Sequence, residues 1–187
     1  MNYKKISKFI KDMRHLVIYN SGSEQWIGDG IAIFPVIGMP FMQKNEMLTF
    51  LGLDDAITNV EFKDAPKWFC EMMTYDDDCP IIEKRGPVLY REGVPHRSYY
   101  TEDGAIIIKE KYIQFIENDL KDEPLMLLLV DVHGIPAVGV YRGFDLWSVI
   151  MPVKDDNMIT CYQQLVDMLH IAAMHKKGTG NNESEEN

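Results

Sequence analysis

The chain has 187 residues, of which 46% are hydrophobic and 26% charged, and these values are typical of a globular protein rather than a disordered one. The 29 acidic residues outnumber the 19 basic ones, and the resulting formal charge of -10 argues against a general nucleic-acid coat. Three scattered cysteines do not make a disulfide framework, and no segment has the pattern of a signal peptide or a membrane span. We therefore expect a cytoplasmic protein with no membrane partner.

The N-terminal segment predicts an amphipathic helix over residues 3–14. Its apolar residues recur at helical spacing, and its basic residues Lys4, Lys8 and Lys11 fall on another face, followed by Arg14. Residues 1–14 carry five basic residues and one acid, whereas the rest of the chain carries 14 basic and 28 acidic residues. This basic helix is either a solvated face or a binding surface for DNA or an acidic partner.

Two strands are predicted next, at His15–Asn20 and Gln25–Val36, joined by the turn residues Ser21–Ser23. Gly28 and Gly30 indicate a bulge or a sharp bend in the second strand. One interpretation places a binding groove here, formed by Trp26 and Asp29. The other is a core strand whose glycines allow close backbone packing.

The middle of the chain is the least regular part. A short helix is predicted over residues 43–52, and residues 54–103 contain four prolines and the acidic run Asp76, Asp77 and Asp78. We expect only short strands there, near Val60, Ile81 and Val88, joined by long loops. This stretch is interpreted as an irregular insertion.

Regular structure is predicted again from residue 104. A strand at Ala105–Ile108 enters a helix at Lys109–Leu120, and three strands follow at Leu125–Val132, Ala137–Tyr141 and Leu146–Val153. Short turns between these strands indicate an antiparallel meander. Residues 156–176 predict a longer C-terminal helix, and residues 178–187 a disordered acidic tail.

The predicted fold class is therefore α+β, an antiparallel sheet with a basic N-terminal helix, a central helix and a longer C-terminal helix. Residues 1–177 form one domain that includes the insertion at about 54–103.

No motif for a phosphate loop, a nucleophile elbow or a helical zinc site is present, so we expect no metal and no cofactor. The run Asp76–Asp78 lacks the register of a calcium loop. A thiol enzyme would have to use Cys70 or Cys79 with His96, since such groups meet only in space.

The segments GAIIIKEKYIQFIENDL (104–120) and FDLWSVIMPVK (144–154) resemble the strand-to-helix unit and the final strand of DNA sliding-clamp domains. The hairpin at residues 16–36, with Asp29-Gly30 before its second strand, is similar to a clamp hairpin. The resemblance is partial. It implies duplex DNA encircled by basic helices, with Lys4, Lys8, Lys11 and Lys109 facing the DNA, and it implies no catalysis.

The sequence thus favours a non-enzymatic interaction module with a protein partner, in its most concrete form a DNA-replication accessory protein with clamp-like elements. A ring of this kind would require several copies of the chain, that is, an oligomer. One alternative is an acidic inhibitor or immunity-type protein that binds a basic partner through Asp76, Asp77 and Asp78. The second alternative is a small thiol-dependent enzyme.

Overall fold

The structure of the protein is a computed structural model. It describes residues 1–53, 57–73, 79–82, 85–101, 104–121, 123–132, 134–154, 159–160, 164 and 168. Four helices and ten strands follow one another in these residues, in the order α1 (Tyr3–Met13), β1 (His15–Asn20), β2 (Gln25–Gly28), β3 (Ala32–Pro35), α2 (Lys44–Leu51), β4 (Asn59–Asp64), α3 (Lys67–Met72), β5 (Arg85–Arg91), β6 (Val94–Thr101), β7 (Gly104–Lys109), α4 (Glu110–Asp119), β8 (Leu125–Val132), β9 (Ile135–Arg142) and β10 (Asp145–Ile150).

Seven strands form the larger sheet, in the order β4-β1-β2-β3-β10-β9-β8. All its pairs are antiparallel except β4 with β1, which run parallel. The long connection between β1 and β4, which includes β2, β3 and α2, makes the parallel pair possible, because parallel strands need a crossover longer than a tight turn. The sheet is therefore mixed, and the sequence predicted an antiparallel one.

A second, three-stranded antiparallel sheet has the order β5-β6-β7. It occupies much of the stretch where the sequence predicted little regular structure. The strand β6 and the helix α3 were not predicted, whereas the strands expected near Val60 and Val88 are present as β4 and β5. Pro87 falls where the register of β5 against β6 shifts, which is where a strand tolerates proline. Ile81 makes only an isolated bridge, to Leu128.

The predicted strand Gln25–Val36 is two strands with a tight turn between them. In this turn Gly28 pairs with Ile33, and the amide of Asp29 donates to the carbonyl of Ala32. The bend expected at the glycines is thus a complete reversal of the chain. The predicted helix at Lys109–Leu120 and the three-stranded meander after it are confirmed as α4 and β8–β10.

Residues alternating along the strands of the larger sheet fall into two hydrophobic clusters, as expected for its two faces. The larger cluster contains the apolar residues of α1 and α4, such as Phe9 and Phe115, against strand residues such as Ile27. The smaller one contains Trp26 and receives Phe69 from α3. Both faces of the sheet are therefore covered.

Of the predicted C-terminal helix, the structure describes only Ile159, Thr160, Gln164 and Met168, each in helical conformation. The remainder of that helix and the predicted acidic tail lie outside the described residues. Within the part of the chain that is described, no helix is both long and apolar enough to cross a membrane.

Candidate partner-binding groove and its surroundings

Helix α1 carries the first group of predicted site residues. The side chain of Asn2 caps its N-terminus by accepting a hydrogen bond from the amide of Lys5. Ile6, Phe9 and Ile10 are buried in the core, which leaves the opposite face to solvent. The helix ends at Arg14, whose left-handed backbone lets its amide bond to the carbonyl of Lys11.

Lys4, Lys8, Lys11 and Arg14 form the basic face of α1. All four are exposed, and their spacing of three or four residues places them along one side of the helix. Within the described residues no carboxylate lies within ion-pair distance of any of the four. The structure thus places these four side chains on one exposed side of α1 with no described carboxylate paired to them, and the binding role predicted for them stays a prediction.

A groove of about 890 Å³ lies between α1 and α2. Lys4 and Lys11 of the basic face line it, and Tyr3 and Phe50 line it as well. The rings of Tyr3 and Phe50 meet edge to face with their centroids 5.2 Å apart, which joins the two helices. The groove thus places positive charge beside aromatic surface.

The loop between β3 and α2 lies next to this groove and carries exposed apolar side chains. The apolar rim consists of Ile37, Met39 and Phe41 of this loop, which line a neighbouring pocket, and of Phe50 in α2; their side chains are 45%, 44%, 52% and 37% exposed. The hydroxyl of Tyr3 accepts from the amide of Ile37 at 2.7 Å and lies 3.2 Å from its carbonyl oxygen, which ties the loop to α1. This rim was not predicted from the sequence, although Gly38 and Pro40, next to Met39 and Phe41, were a signal of a loop with exposed apolar side chains.

Lys109 lies elsewhere. It is the last residue of β7, directly before α4, and pairs across the small sheet with His96. Its charge contributes to lowering the pKa of His96 and of Lys111, although burial is the main cause for both. The described lining of the groove includes Lys4 and Lys11 but not Lys109, so the structure does not bring it to the same groove.

Trp26 and Asp29, which one interpretation placed in a shared groove, are both buried to about 1% exposure. Trp26 packs edge to face against Phe69, with the ring centroids 5.0 Å apart, and lines a separate cavity between β3 and β10. Asp29 sits in the turn of the β2–β3 hairpin, where its carboxylate accepts hydrogen bonds from the amides of Ile31 and Ala32. Trp26 and Asp29 therefore lie in different surroundings and do not form a shared groove.

Around Asp29 the structure builds a buried polar network. The hydroxyl of Tyr112 donates to the second carboxylate oxygen of Asp29 at 2.6 Å. Lys111 lies 4.8 Å from the ring centroids of Phe9 and Tyr112, and the negative charge of Asp29 opposes the lowering of the Lys111 pKa by burial. Two of the three hydrogen bonds to Asp29 hold the turn of the hairpin and the third attaches it to α4, which indicates a structural role for Asp29.

The residues proposed for thiol chemistry are spread over several elements. Cys70 is exposed on α3, and Cys79 packs against the smaller core cluster. His96 is buried on β6, where its Nδ1 lies 2.9 Å from the carbonyl oxygen of Val94. The described contacts of His96 involve neither cysteine.

Asp76, Asp77, Asp78 and Cys161 lie outside the described residues. Among the residues that the structure describes, no three acidic, histidine or cysteine side chains gather as metal ligands.

No protein-family model, no curated protein and no solved structure matches this chain. The resemblance to sliding-clamp domains thus stays a prediction.

Proposed function

We propose that the protein is a non-enzymatic binding module that docks an acidic polypeptide onto the basic face of α1 and the apolar rim. The observation that carries this proposal is the adjacency of the two surfaces. Lys4 and Lys11 line the same groove as Phe50, and Tyr3 joins that groove to Ile37. Both surfaces are exposed in the described part of the chain.

The charge of the basic face defines the first property of the partner. Four exposed cations along one side of a helix raise the local concentration of negatively charged molecules, although the whole protein is acidic. Such an arrangement steers an acidic partner to one surface and repels it from the rest of the molecule. Complementary potentials of this kind determine the association rate and the orientation of the partner.

The apolar rim distinguishes a polypeptide from duplex DNA. A DNA backbone is contacted mainly by cationic and polar groups, whereas protein interfaces bury aromatic residues and methionine at their centre. Met39, Phe41 and Phe50 are of the second kind. This composition favours a partner that carries both carboxylates and apolar side chains.

Two synthetic probes test the proposal. One is a fluorescein-labelled peptide that alternates glutamate with leucine and phenylalanine, and the other is a labelled DNA duplex of about 20 base pairs. Fluorescence polarisation is measured at about 25 mM and about 150 mM NaCl, because screening weakens exposed charge pairs at the higher concentration. We expect the peptide to bind more tightly than the duplex and to keep part of its affinity at the higher salt concentration.

Charge and apolar contributions are separated by variants. Changing Lys4, Lys8 and Lys11 together to glutamate is expected to weaken peptide binding by about tenfold or more at low salt. The matched control changes Lys67, Lys121 and Lys154, also exposed, to glutamate and is expected to leave binding within about twofold. Phe41→Ser with Phe50→Ser is expected to weaken binding of the peptide but not of the duplex.

The opposite pattern would count against an acidic polypeptide partner. Tighter binding of the duplex, with no effect of the two phenylalanine changes, would instead support the DNA hypothesis drawn from the clamp resemblance. Equal losses in the two lysine triple variants would remove the basic face as the site. The hypothesis of an inhibitor acting through Asp76–Asp78 stays a separate prediction, as does the assignment of the protein to the cytoplasm.

A further inference from the structure

Strand β4 is the last strand at one end of the larger sheet, and among the described residues no strand pairs with its outer edge. Its pairing with β1 is continuous from Asn59 to Asp64, without a bulge, and the strand contains no proline. Bulges, prolines and very short strands are the usual means by which natural sheets block an exposed edge against another chain. The edge of β4 carries only charged side chains, those of Glu61, Lys63 and Asp64.

The backbone of β4 directs hydrogen-bonding groups toward this open edge. At the start of the strand, the amide of Asn59 donates to the carbonyl of Arg14, which precedes β1. Backbone groups of successive strand residues alternate in direction, so the odd-numbered residues of β4 bond to β1 and the even-numbered ones face away from it. The outward-facing amides and carbonyls belong to Val60, Phe62 and Asp64.

The side chains at the centre of β4 make its edge complementary to a second copy of itself. Phe62 is 37% exposed. Glu61 and Lys63 lie on the opposite face of the strand from Phe62, where Nζ of Lys63 is 2.6 Å from Oε2 of Glu61. The order along the chain is acid, aromatic, base. When a second strand runs in the opposite direction, this order sets each acid against a base and the aromatic ring against its own copy.

The register of such a pair follows from the same charges. Antiparallel pairing of the outward-facing backbone groups about a two-fold axis overlaps well when it is centred on residue 61, 62 or 63. Centring on Glu61 or Lys63 sets that residue opposite its own copy, and like charges directly opposite each other are destabilising. Centring on Phe62 sets Glu61 opposite Lys63 of the second copy, in the closely spaced type of cross-strand pair.

We infer that two copies of the chain pair through β4, antiparallel and centred on Phe62, so that their larger sheets join into one continuous sheet. The partner is therefore a second copy of this chain, and the contact is isologous. A strand of six residues on each side buries less surface than an obligate dimer does, so the dimer is weak and depends on concentration. This inference does not depend on the groove between α1 and α2.

Sedimentation velocity of the full chain tests the pairing. The protein is measured from about 5 µM to about 500 µM, the range in which a small interface associates. The salt concentration is kept at about 50 mM, because higher salt screens exposed charges. We expect the mass to rise from that of one chain to that of two over this range. A protein that stays monomeric at all these concentrations would overturn the inference.

Two charge reversals test the interface and its register. Glu61→Lys sets lysine against lysine at both cross-strand positions, and Lys63→Glu sets glutamate against glutamate. Each variant alone is expected to dimerise about tenfold more weakly or worse than the unaltered protein. An equimolar mixture of the two is expected to regain the affinity of the unaltered protein, because every acid again faces a base. Recovery on mixing shows that both variants are folded.

The matched control makes the same charge changes at the opposite end of the larger sheet. Lys121→Glu and Glu123→Lys alter two exposed residues, also two positions apart, just before β8. Alone or mixed, these control variants are expected to keep the affinity of the unaltered protein within about twofold. Equal losses in the control variants would overturn the assignment to β4. A mixture of Glu61→Lys with Lys63→Glu that dimerises no more tightly than either variant alone would overturn the register centred on Phe62.

Discussion

The hydroxyl of Tyr112 donates a 2.6 Å hydrogen bond to Oδ2 of Asp29, although the two residues are 83 positions apart in the chain. Oδ1 of the same carboxylate accepts from the amides of Ile31 and Ala32, at 3.0 Å each. One buried carboxylate thereby fixes the turn of the β2–β3 hairpin and attaches it to α4. This contact links the β2–β3 hairpin to the second half of the fold, in addition to the pairing of β3 with β10.

Removal of the Tyr112 hydroxyl should therefore be costly. Tyr112→Phe keeps the ring in the core but leaves a carboxylate oxygen of Asp29 without its donor. We expect the free energy of unfolding to fall by about 2 kcal/mol, the range for a hydrogen bond to a charged group. Urea denaturation followed by circular dichroism measures the change. Tyr90→Phe, at a side chain that is 74% exposed, is the matched control and should have no effect; equal effects of the two changes would contradict the structural role of the contact.

Tyr99 differs from Tyr112 in the hydrogen bonding of its buried hydroxyl. It is fully buried like Tyr112, but its hydroxyl has no hydrogen-bond partner among the described residues. Burial raises the pKa of Tyr99, as it does for Tyr112, so both hydroxyls are neutral in the folded protein at neutral pH. Tyr99→Phe should leave the free energy of unfolding unchanged or raise it by about 1 kcal/mol. A loss as large as that of Tyr112→Phe in the same urea experiment would show that the hydroxyl is paired after all.

The ion pair between Arg97 and Glu110 connects the small sheet to α4. Nε of Arg97 donates to Oε2 of Glu110 at 2.8 Å, and Nη2 of Arg97 donates to Oε1 at 2.5 Å. The side chain of Glu110 is only 3% exposed. The hydrogen bond to Glu110 is the main cause of the raised pKa of Arg97. Glu110 is thus a buried carboxylate whose charge is compensated by Arg97.

Arg97→Met should leave the buried carboxylate of Glu110 without its counter-charge and lower the free energy of unfolding by about 3 kcal/mol. The double change Arg97→Met with Glu110→Leu should recover most of this loss, because no unpaired charge remains. The exposed pair Lys67–Glu71 provides the control, since Lys67→Met should have no measurable effect. A double variant no more stable than Arg97→Met alone would contradict the argument. Thermal or urea denaturation of the unaltered protein, Arg97→Met, Glu110→Leu and the double variant completes the cycle.

His96 makes stability depend on pH. Burial is the main cause that lowers its pKa, the charges of Lys109 and Arg91 add to this, and the hydrogen bond to Val94 opposes it. The unfolded chain, with a histidine pKa of about 6.5, binds the proton more readily than the folded protein does. The contribution of His96 to stability is therefore present above that pKa and is lost as the pH falls through the folded value.

We expect the free energy of unfolding to decrease between about pH 7.5 and about pH 5.5, and we expect His96→Gln to reduce this decrease. Urea denaturation at the two pH values gives the comparison. His15→Gln is the control, because His15 is partly exposed and bonds to Glu61 at 3.0 Å. If the decrease persists in His96→Gln and disappears in His15→Gln, the pH dependence comes from His15 and the prediction for His96 is wrong.

Local sequence patterns predicted many of the elements. The helical spacing of Ile6, Phe9 and Ile10 predicted α1, and turn residues between apolar segments predicted the β8–β10 meander, because both signals depend on neighbouring residues. The strand β6 was not predicted because Pro95 and the polar residues around His96 interrupt the alternation of apolar and polar residues that is typical of a strand. Its burial comes from β7 and α4, which lie farther along the chain.

The candidate site shows the same division. The basic face of α1 was predicted, because its charge and its helical spacing depend only on residues of one short segment. The apolar rim was not predicted, since Ile37, Met39 and Phe41 look like ordinary core residues until the tertiary contacts show that they remain exposed. Trp26 and Trp147 likewise come to line one cavity only through the order of β2, β3 and β10 in the sheet.

The sequence by itself determined the α+β class, the polarised charge and the elements whose hydrophobic period is local. The tertiary structure decided the parallel pairing of β4 with β1, the link between Asp29 and Tyr112, and the surfaces left open for partners. The physical reason is that periodicity and turn chemistry act over a few residues. Strand order, burial of a carboxylate and exposure of an apolar side chain depend on which distant segments pack together.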